Sequence, residues 1–414
     1  MSHALSSSGF RHLISKGVVA ALIALSAPHL APLHAQDEVR ALWVVRTSLT
    51  SPAAIATMVN DAKSSGFNTL LVQVRGRADA YYAGGREPRA AALANQPALD
   101  PLAVTIARGH EAGLRVHAWV NVNLVAGVNE LPSARDHVIY RHPEWLMVPR
   151  ALGEDLASLD PHSPEYFGRL TRYVRRQASE VEGLYLSPVS PGAVDYTIDV
   201  VRDIVERYAI DGIHLDYVRY PTDEFDYSRD ALTAFRSALL SDLTLPDQRR
   251  YDARLVGERL VYTQAFPERW RAFRTDRLTA LVARLKKTIK GVRPTMTLSV
   301  AVTPDPKEAA TGRLQDWREW LNRDLIDVIC PMAYTTDGAV FASQIAAARD
   351  IAATHPLWAG IGAYRLSSSQ IVENVRAARR LGVGGIILFS YDSLTGPSRG
   401  PDDLAQVGRA AFMP

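Results

Sequence analysis

The chain has 414 residues, 47% of them hydrophobic and 22% charged, a composition that fits a folded globular protein and excludes a disordered or collagen-like one. Lys and Arg number 47 against 44 Asp and Glu, without the clustered basic excess that a nucleic-acid binder carries. A single cysteine, Cys330, excludes a disulfide framework, so stability has to come from a large core.

The first 35 residues read as a secretory signal. Arg11 and Lys16 supply a positive start, Gly17 to Ser26 a short apolar run, and Ala35 a small residue ahead of Gln36. That run is too short to span a bilayer of ~30 Å at ~1.5 Å per residue. No later stretch is apolar enough to cross a membrane, and no cysteine follows the run to take a lipid anchor. Without Arg11 and Lys16, 45 of the 47 cations remain against 44 anions, which is near neutrality. The expectation is a signal over residues 1–35, a single domain over 36–414, and a soluble protein that is secreted or periplasmic.

Strand one is expected over Arg40 to Arg46, followed by a helix from Pro52 to Ser65 that stops at Gly66. Strand two covers Asn68 to Arg75, alternating Leu70, Val72 and Val74 against Leu71, Gln73 and Arg75. Asp100 and Pro101 open a helix as N-cap and first residue. Strand three, Leu114 to Asn121, puts His117, Trp119 and Asn121 on one face. An excursion over Val122 to Tyr208 follows, with helices at 164–181 and 193–208 and a short apolar segment, Leu184 to Pro188, between them.

Strand four begins at the Asp211-Gly212 turn, with Ile213 and Leu215 on one face and Gly212, His214 and Asp216 on the other. A second insertion, Thr222 to Pro294, ends in a long amphipathic helix. Strands five to eight are expected at 295–303, 325–332, 356–362 and 384–390. Eight short buried strands alternating with helices predict a closed (β/α)₈ TIM barrel with long insertions after strands three and four. The Gly-rich phosphate turn of an open doubly wound sheet is missing after strand one.

Several ordered motifs lie at the ends of these strands. They are Arg40-Ala-Leu-Trp-Val44, Gln73-Val-Arg75 with Asp79-Ala-Tyr-Tyr82, His117-Ala-Trp119, His142-Pro-Glu-Trp-Leu146, Asp211 to Pro221, Cys330-Pro-Met-Ala-Tyr334 and Ala359-Gly-Ile-Gly-Ala-Tyr364. In these the chain resembles the glycosyl hydrolase-like family 10, bacterial exported (β/α)₈ barrels, from about Val39 to Met413. The resemblance implies hydrolysis of a bacterial polysaccharide, since a related cell-division enzyme acts on peptidoglycan strands stripped of their peptides. Strand four also looks like the chitinase pattern Asp-Gly-x-Asp-x-Asp-x-Glu, but Val218 stands where that pattern has its catalytic Glu.

Barrel enzymes keep their chemistry at the C-terminal ends of the strands, which makes Asp216 the first candidate catalyst. Glycosidic cleavage needs a second carboxyl group. Asp305, after strand five, is the candidate partner, while Asp79, Glu87, Asp337 and Asp392 remain open in other loops. The Asp-Gly turn accounts for Asp211, at the opposite rim.

Gln73, Arg75, Asn121 and Tyr334 are candidate contacts to sugar hydroxyls, as are His214 and Asp392. Trp119, Tyr217 and Tyr364 are candidate stacking planes, together with Trp43, Trp358 and Tyr391. His214 is expected below Asp216, with Arg75 or Asn121 close by. His117 and His214 have no third histidine beside them, so neither metal nor cofactor is expected. Two other readings stay open: a carbohydrate-binding barrel without turnover, and a metal-dependent polysaccharide deacetylase.

Overall fold

The computed structural model describes residues 38–400 and 402–413. The expected signal over residues 1–35 lies outside the described residues. Among the described residues ten strands are present: β1 (Val39–Val44), β2 (Thr69–Arg75), β3 (Arg115–Asn121), β4 (Leu124–Gly127), β5 (Gly183–Tyr185), β6 (Gly212–Asp216), β7 (Thr297–Val302), β8 (Val328–Ala333), β9 (Trp358–Gly362) and β10 (Gly385–Phe389). All but β4 and β5 close into a barrel in the order β1-β10-β9-β8-β7-β6-β3-β2, and every pair in it is parallel. This is the TIM barrel that the strand–helix alternation predicts, with β6 as strand four.

Period-two alternation divides the core into two layers. Leu42, Val44, Leu70, Val72, Val116, Val120, Ile213, Leu215, Leu298 and Val300 face outward and join the large core under the helices. Ala41, Trp43, Leu71, Trp119, Cys330, Trp358 and Ile387 face inward and fill the barrel. Helices start where the sequence supplies caps. Ser51 and Asp100 accept from the backbone N–H groups of Ala54 and Ala103, each ahead of a proline at the first helical turn.

One strand departs from strict alternation. Gln73 of β2 pairs with Trp119, but Arg75 pairs with Val120, so two steps on β2 match one on β3. This bulge moves Arg75 off the inward parity of Gln73 and onto the outward parity of Val120.

The first insertion contains a pair that the hydrophobic pattern does not reveal. β4 and β5 form a short antiparallel sheet, tied to the barrel rim by bonds from the backbone N–H groups of Val122 and Asn123 to the carbonyls of Asp216 and Tyr217. Gly183 is required there, because a Cβ at that position would run into the Ala126 carbonyl oxygen. The second insertion builds a satellite core around Phe235, Tyr262 and Trp270. Its long helix, Pro267–Val292, packs against the helix Pro191–Arg207.

Candidate active site

At the C-terminal mouth of the barrel lies a cavity of about 460 Å³, with a lining that draws on seven of the eight barrel strands or the loops just after them. Asp216 ends β6 and is 7% exposed. Its Oδ1 accepts the Tyr217 backbone N–H at 2.6 Å. Burial drives its pKa up to about 6, and that N–H offsets only part of the rise. The Trp119 indole N–H also draws the carboxyl down, yet it is buried without a hydrogen bond to any described residue.

Tyr217 holds this turn with a left-handed φ of 52°, a conformation costing about 1–3 kcal/mol for a bulky residue and typical of functional sites.

A second carboxylate lines the same cavity: Glu182, immediately before β5. One oxygen accepts from the Arg219 guanidinium at 2.6 Å and the other from the Tyr185 hydroxyl at 2.7 Å. Burial pushes its pKa up, but the Arg219 charge and these hydrogen bonds outweigh that, and the net shift is downward. Arg219 in turn lies over the Tyr217 ring at 4.8 Å. The site therefore holds one carboxyl that keeps its proton toward neutral pH and one that stays ionised.

Aromatic planes complete the lining. Tyr334 and Phe389 stack at 5.4 Å, and Tyr364 meets both edge-on at 6.1 and 5.9 Å. Trp43 and Trp119 also reach the cavity. Gln73 and Asn121 are joined by a 3.4 Å hydrogen bond, and Gln73 also accepts from Arg46 at 2.8 Å. Of the expected contacts, Gln73, Trp119, Asn121, Tyr217, Tyr334 and Tyr364 are brought together around Asp216.

Four expected site residues lie elsewhere. Asp305 is exposed and caps the helix Pro306–Gly312, accepting from the Lys307 and Glu308 N–H groups. Arg75, turned by the bulge, is fully enclosed and committed to Glu87 and to the carbonyls of Asn121 and Val122. Asp392 accepts from Val45 N, Thr47 Oγ1 and Ser48 Oγ, which fixes the loop after β1.

His214 sits one layer deeper in the barrel. It accepts from Trp43 Nε1 at 3.0 Å, so its Nδ1–H, assigned from this network, donates to Ser299 Oγ at 2.9 Å. Burial lowers its pKa to about 3, and it stays neutral.

Sequence reasoning missed Glu182. Its only sequence signal is an acid–glycine pair opening the short apolar segment Leu184–Tyr185, deep within an insertion. Among the described residues no group of three or more His, Cys, Asp or Glu side chains is arranged to hold a metal ion.

A parallel barrel whose mouth joins two carboxylates to aromatic planes defines a glycoside hydrolase-like TIM-barrel protein. The chain belongs to the Glycosyl hydrolase-like 10 family, whose model matches residues 38–177 and 169–365. It is 23% identical over 365 residues to Glycosyl hydrolase YngK of Bacillus subtilis, covering 79% of this chain and 60% of that protein. It is also 23% identical over 299 residues to Glycosyl hydrolase DigH of Escherichia coli, covering 65% of this chain and 55% of that protein. The chain thus spans less than two thirds of the length of these relatives. Among solved structures, the PgaB (BpsB) glycoside hydrolase domain of Bordetella bronchiseptica has the same fold. It aligns with a TM-score of 0.62 at 15% identity, over 91% of this chain and 99% of that one.

Proposed function

We propose that this protein is an exported glycoside hydrolase that cleaves a bacterial polysaccharide, with peptide-free peptidoglycan strands as its substrate. The observation that carries the reading is the pair Asp216 and Glu182, two carboxyl groups in one cavity with pKa values pushed in opposite directions. Such a split separates an acid from an ionised partner. Asp216 donates its proton to the leaving glycosidic oxygen. Glu182 is the ionised group that attacks the anomeric carbon or deprotonates the water that does so. Tyr334, Tyr364 and Trp119 supply planes for pyranose faces, and Gln73 and Asn121 supply polar anchors. The substrate follows from the family resemblance, and export from the signal-like first 35 residues.

The test is release of reducing ends from peptide-free glycan strands by the wild type, Asp216→Asn and Glu182→Gln. Turnover by the wild type and its loss in both variants, with folding intact, is the expected result. Strands that bind without any turnover would make the protein a carbohydrate-binding barrel instead. Export is read by mass spectrometry of the protein from its host, where an intact Met1 end on the extracytoplasmic protein rules out cleavage near Ala35.

A further inference from the structure

Two cations in the cavity have no part in the proton chemistry. Arg46 follows β1 and Arg77 follows β2, and both line the cavity that holds Asp216 and Glu182. Arg46 donates to the Gln73 amide oxygen at 2.8 Å and lies near the Tyr81 phenol. Arg77 donates to the Gly76 carbonyl at 2.8 Å. Among the described residues neither guanidinium forms a salt bridge, whereas Arg219 in the same cavity is paired with Glu182.

The two converge at one point of the chain. A Cβ on Gly76 would come within 2.5 Å of the Arg46 guanidinium, so Gly76 is the residue that lets this side chain cross the backbone. Their charges feel each other. Burial, and beyond it the Arg46 charge, make Arg77 hold its proton less firmly than a free arginine does. Holding two like charges together in a partly desolvated cavity is costly, and an anion between them relieves that cost. A neutral glycan can accept hydrogen bonds from such a pair but leaves its charge unbalanced.

We infer that Arg46 and Arg77 form an anion subsite that takes a carboxylate carried by the sugar, so that the protein selects acidic over neutral glycans. This rests on the glycosidase reading of the same cavity. A guanidinium offers two parallel N–H donors to a carboxylate, and two guanidiniums fix its position and orientation. The carboxylate has two possible sources on a polysaccharide: the lactyl ether of muramic acid or the ring carboxylate of a uronic acid.

The experiment titrates oligosaccharides into the full chain carrying Asp216→Asn, so that ligand is not consumed and no turnover is needed. One arm uses peptide-free peptidoglycan oligosaccharides and their carboxyl-reduced twins, and the other uses uronate oligosaccharides and their reduced twins. One acid should bind about tenfold to a hundredfold more tightly than its twin, the scale of charge-assisted hydrogen bonds. The arm that shows the preference names the source. Adding Arg46→Gln and Arg77→Gln should bring acid and twin to the same affinity.

Equal affinity in both arms, no binding in either, or a preference that survives the double substitution overturns the subsite. The comparison of acid with twin leaves both arginines intact, so it stands even if the substituted protein folds poorly. A preference found in a protein that releases no reducing ends sinks the hydrolase reading alone.

Discussion

Asp211 and Asp216 stand at the two ends of one strand and share nothing but their chemistry. Asp211, at the N-terminal end of β6, is partly exposed, and its Oδ2 accepts from the Val116 N–H at 2.7 Å and His110 Nε2 at 2.8 Å. Through that one oxygen it ties β6 to its neighbour β3 and to the helix Pro101–Glu111. Asp216, at the C-terminal end, is buried with one short backbone N–H bond and otherwise faces a cavity. The same side chain is a fastener in one place and a proton reservoir in the other. The difference lies in which donors reach it and how much water is excluded.

Turnover is where the two should differ most. Asp216→Asn should lower it by ~10²–10⁴, the scale of a lost general acid, while Asp211→Asn should leave it near the wild-type rate. The pH profile sharpens the contrast. With the Asp216 pKa at about 6, kcat/KM should fall about tenfold per pH unit above that value. The acidic limb should lie below the ordinary glutamate range, because Arg219 and Tyr185 hold Glu182 ionised. A profile that is flat from pH 5 to pH 8 would remove Asp216 as the proton donor.

The same contrast separates two Arg–Glu pairs. Arg75–Glu87 is wholly enclosed, with both side chains at 0% exposure, whereas Glu182, paired with Arg219, is 36% exposed toward the cavity. Glu87→Gln strands a buried guanidinium and should cost about 3–5 kcal/mol of stability, read as a lower denaturant midpoint. Glu182→Gln leaves Arg219, 10% exposed, at the cavity and over the Tyr217 ring, so it should cost less stability and show its main effect in turnover. Equal destabilisation by the two would mean that the Glu182 pair is structural as well.

These cases mark how far the sequence could be read. Alternation was enough for the barrel and for the inward faces of β3 and β6, and it brought Trp119, Asn121 and Asp216 to the mouth. It failed for Arg75 because a bulge is a register event between two strands, invisible along one of them. Asp305 has the parity of an inward residue, but its local N-cap bonds fix it outside the cavity. Glu182 was illegible for a different reason. Its position depends on the β4–β5 pair folding back onto the rim, a non-local contact that leaves no periodic trace in an insertion.

Asp216 also sets a pH dependence of stability. Its folded pKa of about 6 lies above its ordinary value of 3.8, so the unfolded chain ionises first as pH rises. The folded state incurs no penalty below about pH 4, where both forms are protonated. The penalty grows between those two values and is complete above about pH 6, where it reaches roughly 3 kcal/mol. Asp216→Asn should therefore melt higher than the wild type at pH 7 to 8, with the gap closing toward pH 4. Thermal melts across that range check it, and a variant less stable than the wild type at pH 8 contradicts it. A group that destabilises the fold at working pH is what a site under a functional constraint shows.

The smallest effect belongs to Asp211. Asp211→Asn keeps one amide oxygen to accept the Val116 N–H, but gives up the negative charge that faces His110. The His110 pair is partly exposed, with the two side chains at 40% and 34%, and solvent screens it, so the charge contributes at most about 1 kcal/mol. The backbone bond is worth about the same and should largely survive in the amide. The net loss should be no more than about 1 kcal/mol. It should shrink further in high salt, since only its electrostatic part is screened. Chemical denaturation of the variant at low and high ionic strength measures both terms. A loss of several kcal/mol independent of salt would mean that Asp211 holds the strand end by a network larger than its two visible partners.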